Sequence, residues 1–211
     1  MKIGIIGAGN IGATAAGLFV KAGHDVAIAN SREPETLKEM VSELGAKARA
    51  ATIEDAAKFG EIVLIAIPFG KYKQLPAAAF AGKIVIDAGN YYPDRDGQFA
   101  EIESGDATSS ELVATHLKGA RLVKAFNTIW SEHLKTQGNN QLPLEQRRVI
   151  FVASDDAEAK TIVSNLIEEL GFAPFDTGSL RDGGLTQEPG TAVYNRNMVL
   201  SEVSALLEGN Y

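Results

Sequence analysis

Three observations predict an α/β chain built on a doubly wound, mostly parallel sheet with helices on both faces. The first is a short apolar run, Ile3, Ile5 and Ile6, that enters the turn Gly7-Ala8-Gly9-Asn10-Ile11-Gly12 and is followed at once by helix-forming sequence, Ala13 to Ala22. The second is Ile62 to Ile67, a continuous apolar stretch of the kind a central parallel strand buried on both faces requires. The third is the regular exchange of strand-like and helix-like segments along the rest of the chain.

The glycine spacing of the first turn carries chemistry. Gly7 permits a tight turn, Gly9 lets the main chain approach a pyrophosphate where a Cβ would collide, and Gly12 allows close helix–strand packing. The helix that starts there offers unpaired N–H groups and partial positive charge to a diphosphate. A lone G-x-G-x-x-G is weak evidence. Between a strand and a helix it reads as the nucleotide-binding turn of a Rossmann-type fold.

The remaining elements follow in order. Ile11, Ala15, Leu18, Phe19 and Ala22 recur at helical spacing, and Gly23 closes that helix. The second strand is Asp25 to Ala29, with Asn30, Ser31 and Arg32 just past its carboxyl end. An NAD enzyme places an Asp or Glu there to accept the ribose hydroxyls. A neutral Asn30, a hydroxyl at Ser31 and a forked guanidinium at Arg32 instead favour NADP and its 2′-phosphate. The alternative is that Ser31 caps the next helix and Arg32 is solvated.

Pro34 to Leu44 reads as a helix stopped by Gly45, then a short strand spans Lys47 to Ala50, and Thr52 caps a helix through Phe59. After Ile62 to Ile67 comes Pro68-Phe69-Gly70 at the carboxyl end of the sheet, and Lys71 and Tyr72 begin a helix. The fifth strand is Ile84 to Asp87, leading into Asn90, Tyr91 and Tyr92. A helix over Thr108 to Leu117, capped by Thr108 or Ser109, precedes a strand at Leu122 to Ala125 that ends in Phe126-Asn127-Thr128. Gly138 to Gln146 is polar and loop-like. Val149 to Ala153 is a strand, Asp155 to Leu170 a helix closed by Gly171, and Ala173 to Phe175 a last short strand. Gly178 to Gly190 is glycine-rich and reads as a flexible segment with the composition of a lid, before a terminal helix over Thr191 to Leu207. The whole reads as a single domain over 1–211 with a short C-terminal extension from about 178.

Composition bounds the function. The 211 residues carry a net charge of −7, which argues against a nucleic-acid or anionic-membrane surface. The absence of cysteine excludes disulfides, thiolate nucleophiles and cysteine metal sites. With no apolar run near membrane-span length and a strand from the first residues, the expectation is a cytoplasmic protein without a signal peptide. Three histidines are present, and His24, His116 and His133 all fall away from the predicted strand ends, so each reads as structural or surface. No metal constellation is visible.

Six strings taken together, GIIGAGNIG, IANSR (28–32), AIPFGKY (66–72), IDAGNYYPDRDG (86–97), KAFNTI (124–129) and EPGTAVYN (188–195), resemble the coenzyme F420 (deazaflavin)-dependent NADP oxidoreductases. The cytosolic reductase domain of the six-transmembrane metalloreductases is similar to that family too. The resemblance spans essentially the whole chain. It implies direct hydride transfer between the nicotinamide and a stacked planar electron acceptor, a deazaflavin or flavin, which needs orientation rather than a general acid. It implies that Gly7, Gly9, Asn10 and Ile11 lie against the diphosphate, Ser31 and Arg32 hold the 2′-phosphate beside Asn30, and Ile67 and Pro68 line the path to the nicotinamide. Asn90, Ala125 and Phe126 would border the nicotinamide pocket. Asn127 would bond the carboxamide or serve as an ordinary turn residue, and Lys71 would meet a phosphate or solvent. Tyr194 and Asn195 would meet either ligand or a partner subunit. The resemblance also implies a homodimer, for which Val199, Val203, Leu206 and Leu207 supply an apolar helical face.

A deazaflavin coenzyme carries an anionic tail, so it needs a local basic rim; Lys71, Lys73, Arg95, Lys124, Arg147 and Arg181 are the candidates. Two other functions compete. Reduction of an imine or a keto acid by a related domain needs a long helical C-terminal domain, whereas about one helix follows the last strand here. A non-catalytic NADPH sensor or electron-supplying subunit would keep the glycine turn and Arg32 and lack an acceptor pocket.

Overall fold

A computed structural model describes residues 1–203. The N-terminal half runs β1 (Lys2–Ile6), α1 (Asn10–Lys21), β2 (Asp25–Ala29), α2 (Lys38–Leu44), β3 (Ala48–Ala50), α3 (Ile53–Phe59), β4 (Ile62–Ile65) and β5 (Ile84–Asp87). Two short helices, α4 (Pro93–Asp96) and α5 (Ala100–Glu103), lead to α6 (Ser109–His116) and β6 (Arg121–Ala125). Then come α7 (Ser131–Thr136), β7 (Val149–Ala153), α8 (Ala157–Glu169), β8 (Ala173–Gly178) and α9 (Asp182–Thr186).

The strands form one sheet in the order β3-β2-β1-β4-β5-β6-β7-β8. All neighbours are parallel except β6 and β7, which pair antiparallel at Lys124 with Ala153 and Ala125 with Val152. The chain order reverses between β1 and β4, so the switch point where such sheets bind ligands lies at the carboxyl ends of these two strands. Side-chain alternation sends Ile3, Ile5, Leu64, Ile86 and Val123 to the face covered by α1 and α8, and Ile6, Val63, Ile65, Val85 and Leu122 to the face covered by α3 and α6. Both faces are apolar because both are covered.

Local capping explains the boundaries. Thr52 Oγ1 accepts the Asp55 N–H at 3.1 Å. Thr108 and Glu111 exchange a reciprocal pair, with the Glu111 N–H donating to Thr108 Oγ1 (3.1 Å) and the Thr108 N–H to Glu111 Oε2 (2.7 Å). Asp156 caps α8 through the Ala159 N–H.

The structure corrects several expected boundaries. α1 begins at Asn10 rather than Ala13, placing the last turn residues inside the helix. Pro34–Leu37 is a 3-10 turn feeding α2, and the helix expected to begin at Lys71 and Tyr72 is a 3-10 segment over Phe69–Gln74. β4 stops at Ile65, which frees Ile67 and Pro68 to line a cleft. β8 continues to Gly178. The glycine-rich segment after it is folded as α9, with Gly183 and Gly184 buried, because a side chain at Gly183 would press on the Thr177 carbonyl. Residues 191–195 are turns and helical conformation begins only at Leu200. Val203 packs within the chain against Val149, Phe151, Val193 and Met198, so it is not a free apolar face. Leu206 and Leu207 lie outside the described residues. Among the described residues no helix is long and apolar enough to cross a membrane.

Candidate active site

The glycine turn sits at the switch point. Gly7 has φ +110°, a left-handed conformation that favours glycine, and a Cβ there would overlap the Ala66 carbonyl of the neighbouring strand end. Gly9 has β-region backbone, and a Cβ on it would meet no protein atom within 4 Å. It is the open position of the turn. The first helical bond of α1 runs from the Ala13 N–H to the Gly9 carbonyl (2.8 Å), no side chain caps the end, and its first turn holds no acid. The residues present therefore fit an anionic diphosphate: bare backbone, free N–H groups and the positive end of a helix.

A cleft of about 630 Å³ runs from this turn across the ends of β2 and β4. Gly7, Gly9, Asn30, Ser31, Arg32, Ile67 and Pro68 line it. Asn30 organises the corner rather than simply bordering it. Its Oδ1 accepts the Arg32 N–H at 2.8 Å, and its Nδ2 donates to Thr36 Oγ1 at 3.0 Å. Ser31 and Arg32 are exposed, and among the described residues the Arg32 guanidinium has no ion-pair partner. Ser31 does not cap a helix, since the next turn starts at Pro34 with Glu33 in the capping position. Lys71 lines the same cleft with its side chain exposed.

Two smaller recesses continue the groove on the other side of the turn. The first shares Gly9, Ile67 and Pro68 with the cleft and adds Asn10, Ile11, Asn90, Tyr92 and Arg95. The second, of about 240 Å³, shares Asn10, Ile11 and Asn90 and adds Phe126, Asn127, Trp130 and Tyr194. Of the residues expected at the site, twelve line this groove. Ala125 does not. It is fully buried on β6 in the core beneath Phe126.

Phe126 has φ +65°, an outlier for a bulky residue that costs about 1–3 kcal/mol. The bend carries Asn127 to the groove. Asn127 Nδ2 donates to Asn90 Oδ1 (3.1 Å) and to the Gln187 carbonyl (2.9 Å), while Asn90 Nδ2 donates to the Asn127 carbonyl (2.9 Å). The strand ends of β5 and β6 are thus tied together beside the recess. Asn127 Oδ1 is buried and has no partner among the described residues.

Sequence reasoning missed three features: Trp130, the pairing of Tyr194 with Tyr92, and the interior position of Lys124, which it counted as a rim candidate. Trp130 is 60% exposed at the mouth of the second recess; a lone tryptophan directly after a strand-end loop was the available signal. The Tyr92 and Tyr194 hydroxyls bond to each other, and Asn90 Nδ2 lies 3.4 Å from the latter. Burial, then that bond, push the Tyr194 hydroxyl well above the usual tyrosine range, so it stays protonated. Third, Lys124 is completely buried, with Nζ donating to Ser110 Oγ (3.0 Å) and Ser109 Oγ (3.2 Å) and 3.6 Å from Glu188 Oε1. Ser110 donates onward to Asp87 (2.6 Å). A charged residue inside the apolar run LVKAF was its signal.

The expected basic rim is not assembled. Lys124 is interior, Arg181 is held by the Gly105 and Asp106 carbonyls and Glu111, and Arg147 by the Leu142, Asn140 and Glu168 carbonyls. Lys73 lies over the Tyr72 and Phe99 rings. Arg95 is paired with Asp96 and also donates to the Asn90 carbonyl (2.6 Å). Lys71 faces the large cleft.

Comparison with known proteins relates the sequence to a family. Residues 2–91, which span the glycine turn, the Ser31–Arg32 corner and the end of β4, match the model described as NADP oxidoreductase, coenzyme F420-dependent. The chain belongs to this oxidoreductase family. It is similar to the metalloreductase STEAP3 of Rattus norvegicus, at 29% identity over 181 residues. That match covers 85% of this chain and 34% of the relative, so the chain spans about a third of the curated relatives' length. A solved structure of a hypothetical protein, SMa0349, from Sinorhizobium meliloti superposes with a TM-score of 0.82 at 32% identity, covering 94% of this chain and 95% of the other. A candidate F420-dependent NADP-reductase from Arthrobacter sp. FB24 shares the fold, with TM-score 0.69, 24% identity, and coverage of 85% and 86%.

Proposed function

We propose that the protein is an NADPH-dependent oxidoreductase that passes a hydride between the nicotinamide and a planar acceptor, a flavin or deazaflavin ring. The observation that carries this reading is the single groove across the glycine turn, with an arginine corner at one end and an amide- and aromatic-lined recess at the other. Bound NADPH supplies the hydride, two electrons with one hydrogen nucleus. The chain's own part is positioning. Gly7, Gly9 and the α1 N-terminus take the diphosphate, and Ser31 and Arg32 take the 2′-phosphate in the loop shaped by Asn30. Ile67 and Pro68 set the path, and Asn90, Asn127 and Phe126 shape the far end. Orientation of this kind contributes to rate without proton transfer by the protein. The residues lining the three recesses include no histidine, so the binding groove offers none as an acid or base.

The test is NADPH oxidation by the purified protein with deazaflavin, riboflavin, FMN, FAD and ferric chelates in parallel, and NADH as control. Turnover with a ring acceptor and preference for NADPH are expected. Tight NADPH binding without turnover on any acceptor would replace this reading with a sensor or electron-supplying subunit. The homodimer rests on family resemblance, because Val203 is used within the chain; light scattering decides it.

A further inference from the structure

The second recess differs from the cleft in charge. The cleft offers Arg32 and Lys71, while none of the eleven described residues lining the recess carries a charge. Its polar groups are the amides of Asn10, Asn90, Asn127 and Asn195 and the hydroxyls of Ser131 and Tyr194; Trp130 supplies an aromatic face. Tyr194 remains neutral because burial disfavours its phenolate. The adjoining recess contains one cation, Arg95, whose charge is already matched by Asp96 at 2.7 Å. Of the other basic side chains expected to form a rim, Arg147 and Arg181 are held by carbonyls and a carboxylate, Lys124 lies inside the protein, Lys73 lies over the Tyr72 and Phe99 rings, and Lys71 lines the cleft.

We infer that this recess recognises an uncharged flat ring through neutral amides and aromatic surface, and that an anionic tail on the acceptor contributes nothing to its binding. The inference rests on the proposed hydride-transfer reading and narrows its acceptor: a phosphate-free flavin or comparable neutral heteroaromatic ring serves as well as a phosphorylated one. Two physical arguments support this. A phosphate gains most where a guanidinium or ammonium meets it directly, and the recess presents neither. The net charge of −7 repels a dianionic tail instead of drawing it in.

The experiment compares riboflavin with FMN, which have the same ring and differ by one phosphate. Each is titrated into NADP⁺-saturated protein at low and high salt. Trp130, the single tryptophan of the chain, lies at the recess, so its fluorescence reports occupancy without requiring turnover. Riboflavin is expected to bind at least as tightly as FMN, with dissociation constants within about threefold of each other and little change with salt, as for a contact without charge pairing. FMN binding tenfold or more tighter than riboflavin, with the advantage lost at high salt, would overturn the inference while leaving hydride transfer intact. Failure of both flavins to bind would overturn it as well. In that case NADPH oxidation with a deazaflavin or ferric chelate would show the oxidoreductase reading surviving, and its absence would remove that reading separately.

Discussion

Replacing Arg32 by alanine isolates the feature that selects the nucleotide. The guanidinium is exposed at the end of β2, and among the described residues it has no ion-pair partner, so truncation breaks no internal contact and the fold should be unaffected. The neighbouring main chain is fixed independently, by Asn30 Oδ1 accepting the Arg32 N–H and by Thr36 accepting from Asn30. A charge-assisted bond to a phosphate contributes about 1.5–3 kcal/mol. Solvent exposure puts Arg32 toward the lower end, about 1.5–2 kcal/mol, which converts to roughly a 10- to 30-fold weaker Kd for NADPH. NADH lacks the 2′-phosphate, and its Kd should change less than about twofold. Calorimetric titration of both nucleotides into wild type and R32A gives the comparison directly. Arg32→Lys should recover part of the loss, because an ammonium keeps the charge without the fork. Equal losses for both nucleotides would refute the assignment of this corner to the 2′-phosphate.

Three further perturbations probe the turn, the charge pairs and the interior. Gly9→Val should abolish binding of either nucleotide with an unchanged thermal midpoint, since its Cβ points where no protein atom lies within 4 Å; normal NADPH binding by this variant would move the diphosphate elsewhere. Asp156 is held by the Arg121 fork at 2.6 and 2.8 Å, which keeps its carboxyl well below the ordinary 3.8. Its folded pKa is thus below its unfolded one, so the stabilisation is present above the ordinary value and fades as pH falls through the folded value. Asp156→Asn preserves the α8 cap while deleting the charge, so wild type and variant should differ in melting temperature at neutral pH and converge in strong acid; a constant difference would contradict this. Lys124→Met should destabilise the protein by about 3 kcal/mol in urea titration, because it strips buried partners from Ser109, Ser110 and Glu188; a neutral result would show that the network contributes little.

Much of the strand and cap pattern was legible because its signals are local. Asp25–Ala29, Ile84–Asp87 and Val149–Ala153 are continuous apolar or near-apolar runs, and the observed strands have these bounds. The Thr52 and Thr108 caps were readable for the same reason, since each bond spans three residues. What was misread depends on contacts between distant residues. Nothing in residues 178–190 alone says that Gly183 and Gly184 are packed instead of mobile; that follows from Thr177 against Gly183, from Thr108 and Lys124 against Gly184, and from Asn127, sixty residues earlier, holding the Gln187 carbonyl. The basic rim failed similarly. Counting lysines and arginines does not reveal that Lys124 faces inward on β6 or that main-chain carbonyls occupy Arg147 and Arg181. Lys124 and the segment it anchors have one explanation. Glu188 is drawn to Lys124 and Ser109, Gln187 to Asn127, and the Asn195 N–H to the Thr128 carbonyl, so the chain after β8 is fastened to the carboxyl ends of the sheet at successive points. That fastening delivers Tyr194 to Tyr92 and Asn90. The far wall of the recess is therefore built by residues more than a hundred positions from the glycine turn, and no local reading of either stretch places them together.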